Sequence, residues 1–185
     1  YTKDMAPVVA TEVGQHQMWT VQAFNFDKPR KLVTSGGLGT MGFGFPASMG
    51  ACLGQDKPVL CIAGDGSLQM NIQELMTCVD YKLPVKVVIM NNGYLGMVRQ
   101  WQEKLYDGHY SQTKISSPDY VKLAEAYGAK GIRIQKEEEI VPALKEAFEY
   151  DGPVFMDFII EPFEMVYPWV LSGKGLNNVL LSDKG

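Results

Sequence analysis

The chain has 185 residues, of which 46% are hydrophobic and 21% charged, and its net charge is −4. This balance is typical of one globular domain, and without a basic stripe we expect no nucleic-acid partner. The sequence shows no apolar run of transmembrane length and no signal peptide, so we expect no membrane partner and a cytoplasmic location. Cys52, Cys61 and Cys78 lie in apolar surroundings without metal-binding spacing, which favours reduced core thiols.

The predicted elements alternate between strand and helix along the chain. Apolar runs predict strands at about residues 8–13, 31–34, 58–63, 85–90, 131–134 and 154–160. Apolar residues at helical spacing predict helices at about residues 16–24, 45–53, 71–81, 97–105, 120–127 and 137–150. The expected fold is therefore α/β, with a mostly parallel sheet and helices on both of its faces.

The last part of the sequence differs in composition from the rest. We expect residues 1–160 to form one domain and residues 161–185 to form a C-terminal arm, which is rich in Pro, Gly and aromatic residues. The arm shows no clear period, and we expect its aromatic residues to be exposed and to fold over the functional site. These aromatic residues are Phe163, Tyr167 and Trp169.

Two polar segments follow successive apolar strands. Gly64-Asp65-Gly66-Ser67 ends one strand, and Asn91-Asn92-Gly93 ends the next. The carboxyl ends of neighbouring parallel strands form the edge at which open α/β sheets bind ligands. The carboxylate of Asp65 and the amide oxygen of Asn92, together with phosphate oxygens, suit Mg²⁺, and the start of the following helix suits phosphate. Each segment alone is most simply a turn, but their placement on successive strands favours a binding site.

A wider set of motifs carries a family resemblance. Gly64-Asp65-Gly66, followed after 24 residues by Asn91-Asn92, resembles the metal–diphosphate motif of thiamin diphosphate enzymes. Residues 13–19 (VGQHQMW), 34–42 (TSGGLGTMG) and 96–102 (GMVRQWQ) narrow the resemblance to the catalytic subunit of acetolactate synthase, also called acetohydroxyacid synthase. The similarity runs from about residue 8 to residue 181 and covers only the carboxyl-terminal third of such an enzyme, its thiamin diphosphate-binding domain.

The resemblance implies a role for each matching residue. Asp65 and Asn92 would bind Mg²⁺, with the backbone carbonyl of Tyr94 as the third protein ligand. The diphosphate would be held by Gly66, Ser67 and residues 95–98, with Gln15 and His16 at the same end of the cofactor. The full set that it assigns to the cofactor is Val13, Gly14, Gln15, His16, Gly39, Met41, Gly64, Asp65, Gly66, Ser67, Asn92, Tyr94, Leu95, Gly96, Met97 and Val98.

The resemblance assigns a catalytic role to Met41. Its side chain would lie beneath the cofactor and hold it bent, so that one ring of the cofactor can deprotonate the other, and Gly39 and Met41 would touch the aminopyrimidine through backbone groups. Trp101 would shape the pocket of the acceptor substrate together with Met97 and Val98. Without the resemblance, Met41 reads as a core residue and Trp101 as part of an apolar helix face.

The implied reaction decarboxylates pyruvate and joins the remaining fragment to a second pyruvate or to 2-ketobutyrate, in branched-chain amino acid biosynthesis. The resemblance also implies a homodimer or tetramer and a regulatory small subunit. The Glu that activates the cofactor, and the FAD-binding domain, would lie outside this sequence, which begins at Tyr1. We therefore expect a fragment that binds thiamin diphosphate and Mg²⁺, does not bind FAD, and is inactive alone.

Two other interpretations stay open. The chain could be the equivalent domain of a pyruvate oxidase or decarboxylase, which residues 96–101 disfavour, or a cofactor-binding module without catalysis. A nicotinamide-binding domain is disfavoured. Gly37, Gly39 and Gly42 fit its glycine pattern, but the acidic residue expected about 20 positions later is missing.

Overall fold

The computed structural model describes residues 7–55 and 57–182. The outer ends of the predicted domain and arm, residues 1–6 and 183–185, lie outside the described residues. Within the described ranges, no helix combines the length and the apolar character that crossing a membrane requires.

A six-stranded sheet forms the centre of the molecule. Its strands are β1 (Val8–Thr11), β2 (Leu32–Thr34), β3 (Val59–Gly64), β4 (Val85–Asn91), β5 (Lys130–Ile134) and β6 (Val154–Ile159). They lie in the order β2-β1-β3-β4-β6-β5, and every pairing between them is parallel. The predicted α/β fold is confirmed, and the register places Gly64 of β3 opposite Met90 of β4.

Helices cover both faces of the sheet because alternate strand residues point to opposite sides. The helices are α1 (Gln15–Ala23), α2 (Gly44–Gln55), α3 (Asp65–Leu68), α4 (Leu75–Asp80), α5 (Gly96–Leu105), α6 (Tyr120–Tyr127) and α7 (Ile140–Glu149). One core packs α2, α4 and α6 against Val87 and Ile89 of β4, and a second core packs α7 against Val88. The first core also contains the three cysteines, which are buried free thiols.

The predicted continuous helix at residues 71–81 is wrong. The structure has the short helix α3, then a 3₁₀ helix over Gln69–Glu74, and then α4. Asn71 leaves helical geometry with φ −136°, and its side-chain Nδ2 donates a hydrogen bond of 2.7 Å to the carbonyl of Gly42. This contact between distant parts of the chain competes with the helix and breaks it.

The arm is more ordered than its composition predicts. It contains a separate antiparallel pair, β7 (Trp169–Val170) and β8 (Val179–Leu180). Trp169 is only 7% exposed, so the expectation of an exposed ring is wrong there, whereas Phe163 is 55% exposed as expected.

Candidate functional site

A cleft lies at the carboxyl ends of β1, β3 and β4. We call it the Asp65 cleft, and it has a volume of about 440 Å³, part of it open to solvent. Its lining residues are Val13, Gly14, Gln15, His16, Trp19, Met41, Gly64, Asp65, Gly66, Ser67, Met90, Asn92, Tyr94, Leu95, Gly96, Met97 and Val98. The sheet edge where the two polar segments meet is therefore concave, as a ligand site in an open α/β sheet requires.

Most of the residues singled out in the sequence line this cleft, and two do not. Gly39 lies on the exposed loop before Met41, and Trp101 lies on α5, where its ring is 6.4 Å from the ring of Trp169. Trp19 and Met90 line the cleft but were not singled out. Their apolar side chains carry no chemical signal in the sequence that would distinguish them from core residues.

Asp65 is a buried carboxylate at the end of β3. Its Oδ2 accepts hydrogen bonds from the backbone N–H of Gly93, at 2.9 Å, and from the hydroxyl of Ser117, at 3.0 Å. Burial raises the pKa of this carboxyl, although the two hydrogen bonds oppose the effect. No basic side chain in the described part of the chain forms an ion pair with Asp65. A buried carboxylate without a cation is costly, so a bound cation fits this position.

Ser117 is a site residue that the sequence analysis missed. In the sequence it precedes Pro118 and Asp119, a pattern that indicates the start of a helix and carries no sign of a binding role. The structure folds residues 113–117 back over the site, where the N–H of Ile115 donates to the carbonyl of Gly93 at 3.0 Å. The signal for this arrangement is absent from the sequence because the contact joins two distant segments.

The amide of Asn92 is held by a chain of side-chain amides. Asn92 Oδ1 accepts the N–H of Tyr94 at 3.0 Å, and Asn92 Nδ2 faces Gln15 Oε1 at 3.5 Å. Gln15 Nε2 in turn donates to Gln100 Oε1 at 2.9 Å and to the carbonyl of Glu164 at 3.0 Å. These bonds fix which way each amide points, and Asn92, Gln15 and Tyr94 all line the Asp65 cleft.

His16 contributes a neutral imidazole. Burial lowers the pKa of His16 to about 3, partly opposed by the backbone of Glu12. Its Nε2 is buried and has no hydrogen-bond partner among the residues that the structure describes. A buried polar atom without a partner is unusual, and it fits a site that a polar ligand completes.

The glycines of the cleft permit close packing around it. A Cβ atom on Gly64 would lie 2.8 Å from Cε1 and Nδ1 of His16, and a Cβ atom on Gly66 would lie 2.8 Å from Cδ2 of Leu95. The same position on Gly66 is 3.9 Å from Cε of Met41, so the Met41 side chain lies across the cleft floor. Any larger residue at 64 or 66 would displace side chains that line the cleft.

The donor set suits magnesium bound together with a phosphate. Residues 7–55 and 57–182 contain no cluster of three or more His, Cys, Asp or Glu that could hold a metal ion. The available ligands are the Asp65 carboxylate, the Asn92 amide oxygen and backbone carbonyls, and Mg²⁺ is often held by few protein ligands and by substrate phosphates. The first residues of the ten-residue helix α5 also line the cleft, and free N–H groups at a helix start favour phosphate oxygens.

The arm is attached beside the cleft by α5. Gln100 Nε2 donates to the carbonyl of Val166 at 3.1 Å, and Gln100 Oε1 accepts the N–H of Val166 at 2.9 Å. The buried guanidinium of Arg99 lies 5.0 Å from the ring of Phe163 and donates to the carbonyl of Glu164 at 3.3 Å. Residues 163–166 therefore lie against α5 beside the site, but the residues that line the Asp65 cleft do not include them, so the expectation that the arm folds over the site stays a prediction.

Comparison with known proteins gives consistent results. The chain is 49% identical over 179 residues to the acetolactate synthase isozyme 3 large subunit of Escherichia coli (strain K12), covering 94% of this chain and 31% of that protein. It is 45% identical over 187 residues to the acetolactate synthase large subunit of Corynebacterium glutamicum, covering 96% and 30%. It is 44% identical over 176 residues to the mitochondrial acetolactate synthase of Schizosaccharomyces pombe, covering 95% and 26%.

The chain thus spans less than a third of the length of these curated relatives. Residues 12–158 match the family described as "Thiamine pyrophosphate enzyme, C-terminal TPP binding domain", where thiamine pyrophosphate is thiamin diphosphate. The matched range includes every residue that lines the Asp65 cleft. It also includes the main sheet, apart from β1 and the last residue of β6. The chain belongs to the thiamine pyrophosphate enzyme family, as its C-terminal TPP-binding domain.

Proposed function

We propose that this chain is the cofactor-binding part of an acetolactate synthase catalytic subunit. The proposed reaction decarboxylates pyruvate and condenses the product with a second pyruvate or with 2-ketobutyrate, in branched-chain amino acid biosynthesis. The observation that carries the proposal is the meeting of Asp65 and Asn92 at the adjacent ends of β3 and β4, in one cleft. The similarity to acetolactate synthases over 94% of the chain supports this particular reaction.

In the proposed site, Asp65, Asn92 and the backbone carbonyl of Tyr94 hold Mg²⁺. The segment Gly66-Ser67 and the first N–H groups of α5 hold the diphosphate of thiamin diphosphate. Support comes from the burial of Asp65 without an ion-pair partner among the described residues, and from the exposure of the α5 start to the cleft. When bound, thiamin diphosphate supplies the electron sink that lets a 2-keto acid lose CO₂.

The remaining residues of the cleft would orient the cofactor and the acceptor. Met41 would support the cofactor from below, with its side chain opposite Gly66, and Gly39 would contact the pyrimidine through its backbone. His16, neutral in the folded protein, would offer Nε2 to a polar group of the ligand. Met97 and Val98 would line the acceptor pocket, and Trp101 would border it from the next turn of α5.

The proposed active site is complete only in a larger assembly. We propose that the activating Glu and an FAD-binding domain belong to other parts of the full-length protein. A homodimer or tetramer and a regulatory small subunit complete the assembly, which we place in the cytoplasm. Because the chain covers less than a third of its relatives, we expect the 185-residue chain alone to show little or no turnover.

Product analysis of the full-length protein tests this proposal. The protein is supplied with pyruvate, thiamin diphosphate and Mg²⁺, and the products are identified by mass spectrometry. We expect acetolactate, and acetohydroxybutyrate when 2-ketobutyrate is added. Acetaldehyde or acetyl phosphate as the main product would instead assign a decarboxylase or an oxidase. Cofactor binding without any product in the full-length protein would indicate a module without catalysis.

A further inference from the structure

A buried glutamate at the end of β1 holds the loop that carries Met41. Glu12 is 0% exposed. Its Oε2 accepts the N–H of Gly42 at 2.7 Å, and its Oε1 accepts the N–H of Phe45 at 2.9 Å. Both carboxylate oxygens are therefore used to fix the backbone that follows Met41. Charge-assisted hydrogen bonds of this kind are short and strong, so they hold a backbone more firmly than neutral ones.

Asn71 holds the same residue, Gly42, through its carbonyl. Asn71 Nδ2 donates to the carbonyl of Gly42 at 2.7 Å. Gly42 has φ +91°, and a Cβ atom there would lie 2.8 Å from Asn71 Nδ2 and 3.0 Å from Cβ of Met70. Only glycine fits this conformation and this close approach. Gly42 is thus clamped between the end of β1 and the segment that follows Asp65.

Met41 needs this support because its own side chain does not fix it. A methionine side chain has three rotatable bonds, and Met41 is only partly buried. Its Cε nevertheless lies 3.9 Å from the Cβ position of Gly66, on the cleft floor. The position of its backbone, which Gly42 continues, therefore decides how far the side chain reaches into the cleft.

A purely structural role explains the choice of glutamate poorly. Burial raises the pKa of Glu12, and no basic side chain in the described ranges forms an ion pair with it, so burying this carboxyl group costs stability. Destabilising but well-satisfied groups of this kind are found where a functional element must be held in one position.

We propose that Glu12 and Asn71 are positioning residues that hold Met41 against the pyrimidine half of the cofactor by clamping the backbone of Gly42. This inference rests on the proposed function. It distinguishes the two ends of the cleft: the clamp acts on the part that receives the rings, whereas the metal and diphosphate are held by Asp65, Asn92 and the start of α5.

The test compares two ligands in the full-length protein, thiamin diphosphate and inorganic diphosphate, each with Mg²⁺. Binding is followed by calorimetry and by intrinsic tryptophan fluorescence, to which Trp19 in the cleft contributes. Loss of one buried charged hydrogen-bond partner in Glu12→Gln is expected to weaken thiamin diphosphate binding about tenfold or more. Binding of inorganic diphosphate should change by less than about twofold, because its ligands are untouched. Glu125→Gln, the same change on an exposed residue of α6, should alter neither affinity.

A double-mutant cycle with Met41→Ala provides the second readout. If Glu12 acts through Met41, Glu12→Gln should cause little further loss in the Met41→Ala background. Independent, additive losses would overturn the inference, and so would equal losses for both ligands. Asn71→Ala removes the other half of the clamp at a partly exposed position and replaces Glu12→Gln if that variant does not fold. A wild-type protein that binds inorganic diphosphate but not thiamin diphosphate would overturn both the proposed function and the clamp. Unchanged affinities in Glu12→Gln and in Asn71→Ala would overturn the clamp alone.

Discussion

The buried imidazole of His16 makes the stability of the chain depend on pH in a defined way. Burial lowers its pKa from an ordinary value of 6.5 to about 3 in the folded protein. Below pH 6.5 the unfolded chain therefore takes up a proton that the folded chain refuses. Between pH 6.5 and about 3 the unfolded state binds more protons than the folded state. The free energy of unfolding therefore decreases as the pH falls through this range.

The size of the effect follows from the two pKa values. Lowering the pH from 7 to 5 should reduce the free energy of unfolding by about 2 kcal/mol through this one group, because the loss is about 1.4 kcal/mol per pH unit once the unfolded histidine is mostly protonated. The raised pKa values of Glu12 and Asp65 act in the opposite direction, since the folded state then binds their protons more tightly. A comparison of variants at both pH values removes these other contributions.

The assay is urea unfolding of the 185-residue chain at pH 7 and pH 5, for wild type, His16→Gln and His109→Gln. His109 is exposed and is the only other histidine of the sequence, which makes it the matched control. Between pH 7 and pH 5 the free energy of unfolding should fall by about 2 kcal/mol more in wild type and in His109→Gln than in His16→Gln. An equal loss in wild type and His16→Gln would refute the argument that His16 stays neutral in the fold.

Three further substitutions test the packing around the cleft, with a control on α2, and the attachment of the arm. Gly64→Ala should lower the free energy of unfolding by about 1–3 kcal/mol in urea unfolding, because its Cβ would press on the buried ring of His16. A Cβ atom on Gly50, on the exposed face of α2, would meet no described atom within 4 Å. Gly50→Ala should therefore raise the free energy of unfolding by about 0.5–1 kcal/mol. A greater loss of stability in Gly50→Ala than in Gly64→Ala would contradict the packing of Gly64 against His16. Gln100→Ala removes both side-chain bonds to Val166 and should speed hydrogen exchange of the Val166 amide about tenfold or more. An unchanged rate would show that the arm is held elsewhere.

The sheet and its ligand-binding edge could be predicted because they depend on local patterns. Each strand is an apolar run bounded by turn residues, and parallel strands bring their carboxyl ends to one edge. The pairing of Gly64 with Met90 places Asp65 and Asn92 at neighbouring strand ends, as the spacing of the two polar segments indicated.

Contacts between distant segments explain what the sequence did not reveal. Ile72, Leu75 and Val79 have helical spacing, but Asn71 breaks that helix by bonding to the carbonyl of Gly42, 29 residues away. Glu12 lies inside a predicted strand, and its partners are 30 and 33 residues further along the chain. Single-sequence patterns report periodicity and turns, and they carry no information on which polar side chain meets which backbone group.

The order of the arm has the same origin. Trp169 belongs to a segment without a period, and such a segment predicts an exposed ring. Trp169 is buried, and the segment just before it is held by two bonds between Gln100 and Val166, which are 66 residues apart. The aromatic contact with Trp101 then turns both rings toward each other, outside the Asp65 cleft.

Cofactor titration tests the central claim most directly. Thiamin diphosphate is added to the protein with Mg²⁺ or with a chelator, for wild type, Asp65→Ala and the exposed control Asp80→Ala, with intrinsic tryptophan fluorescence, to which Trp19 in the cleft contributes, as the signal. We expect saturable binding that requires Mg²⁺, is kept in Asp80→Ala, and is weakened about tenfold or more in Asp65→Ala. Equal affinity with the chelator, or in Asp65→Ala, would contradict the assignment of Asp65 as the ligand that joins metal and cofactor to this fold.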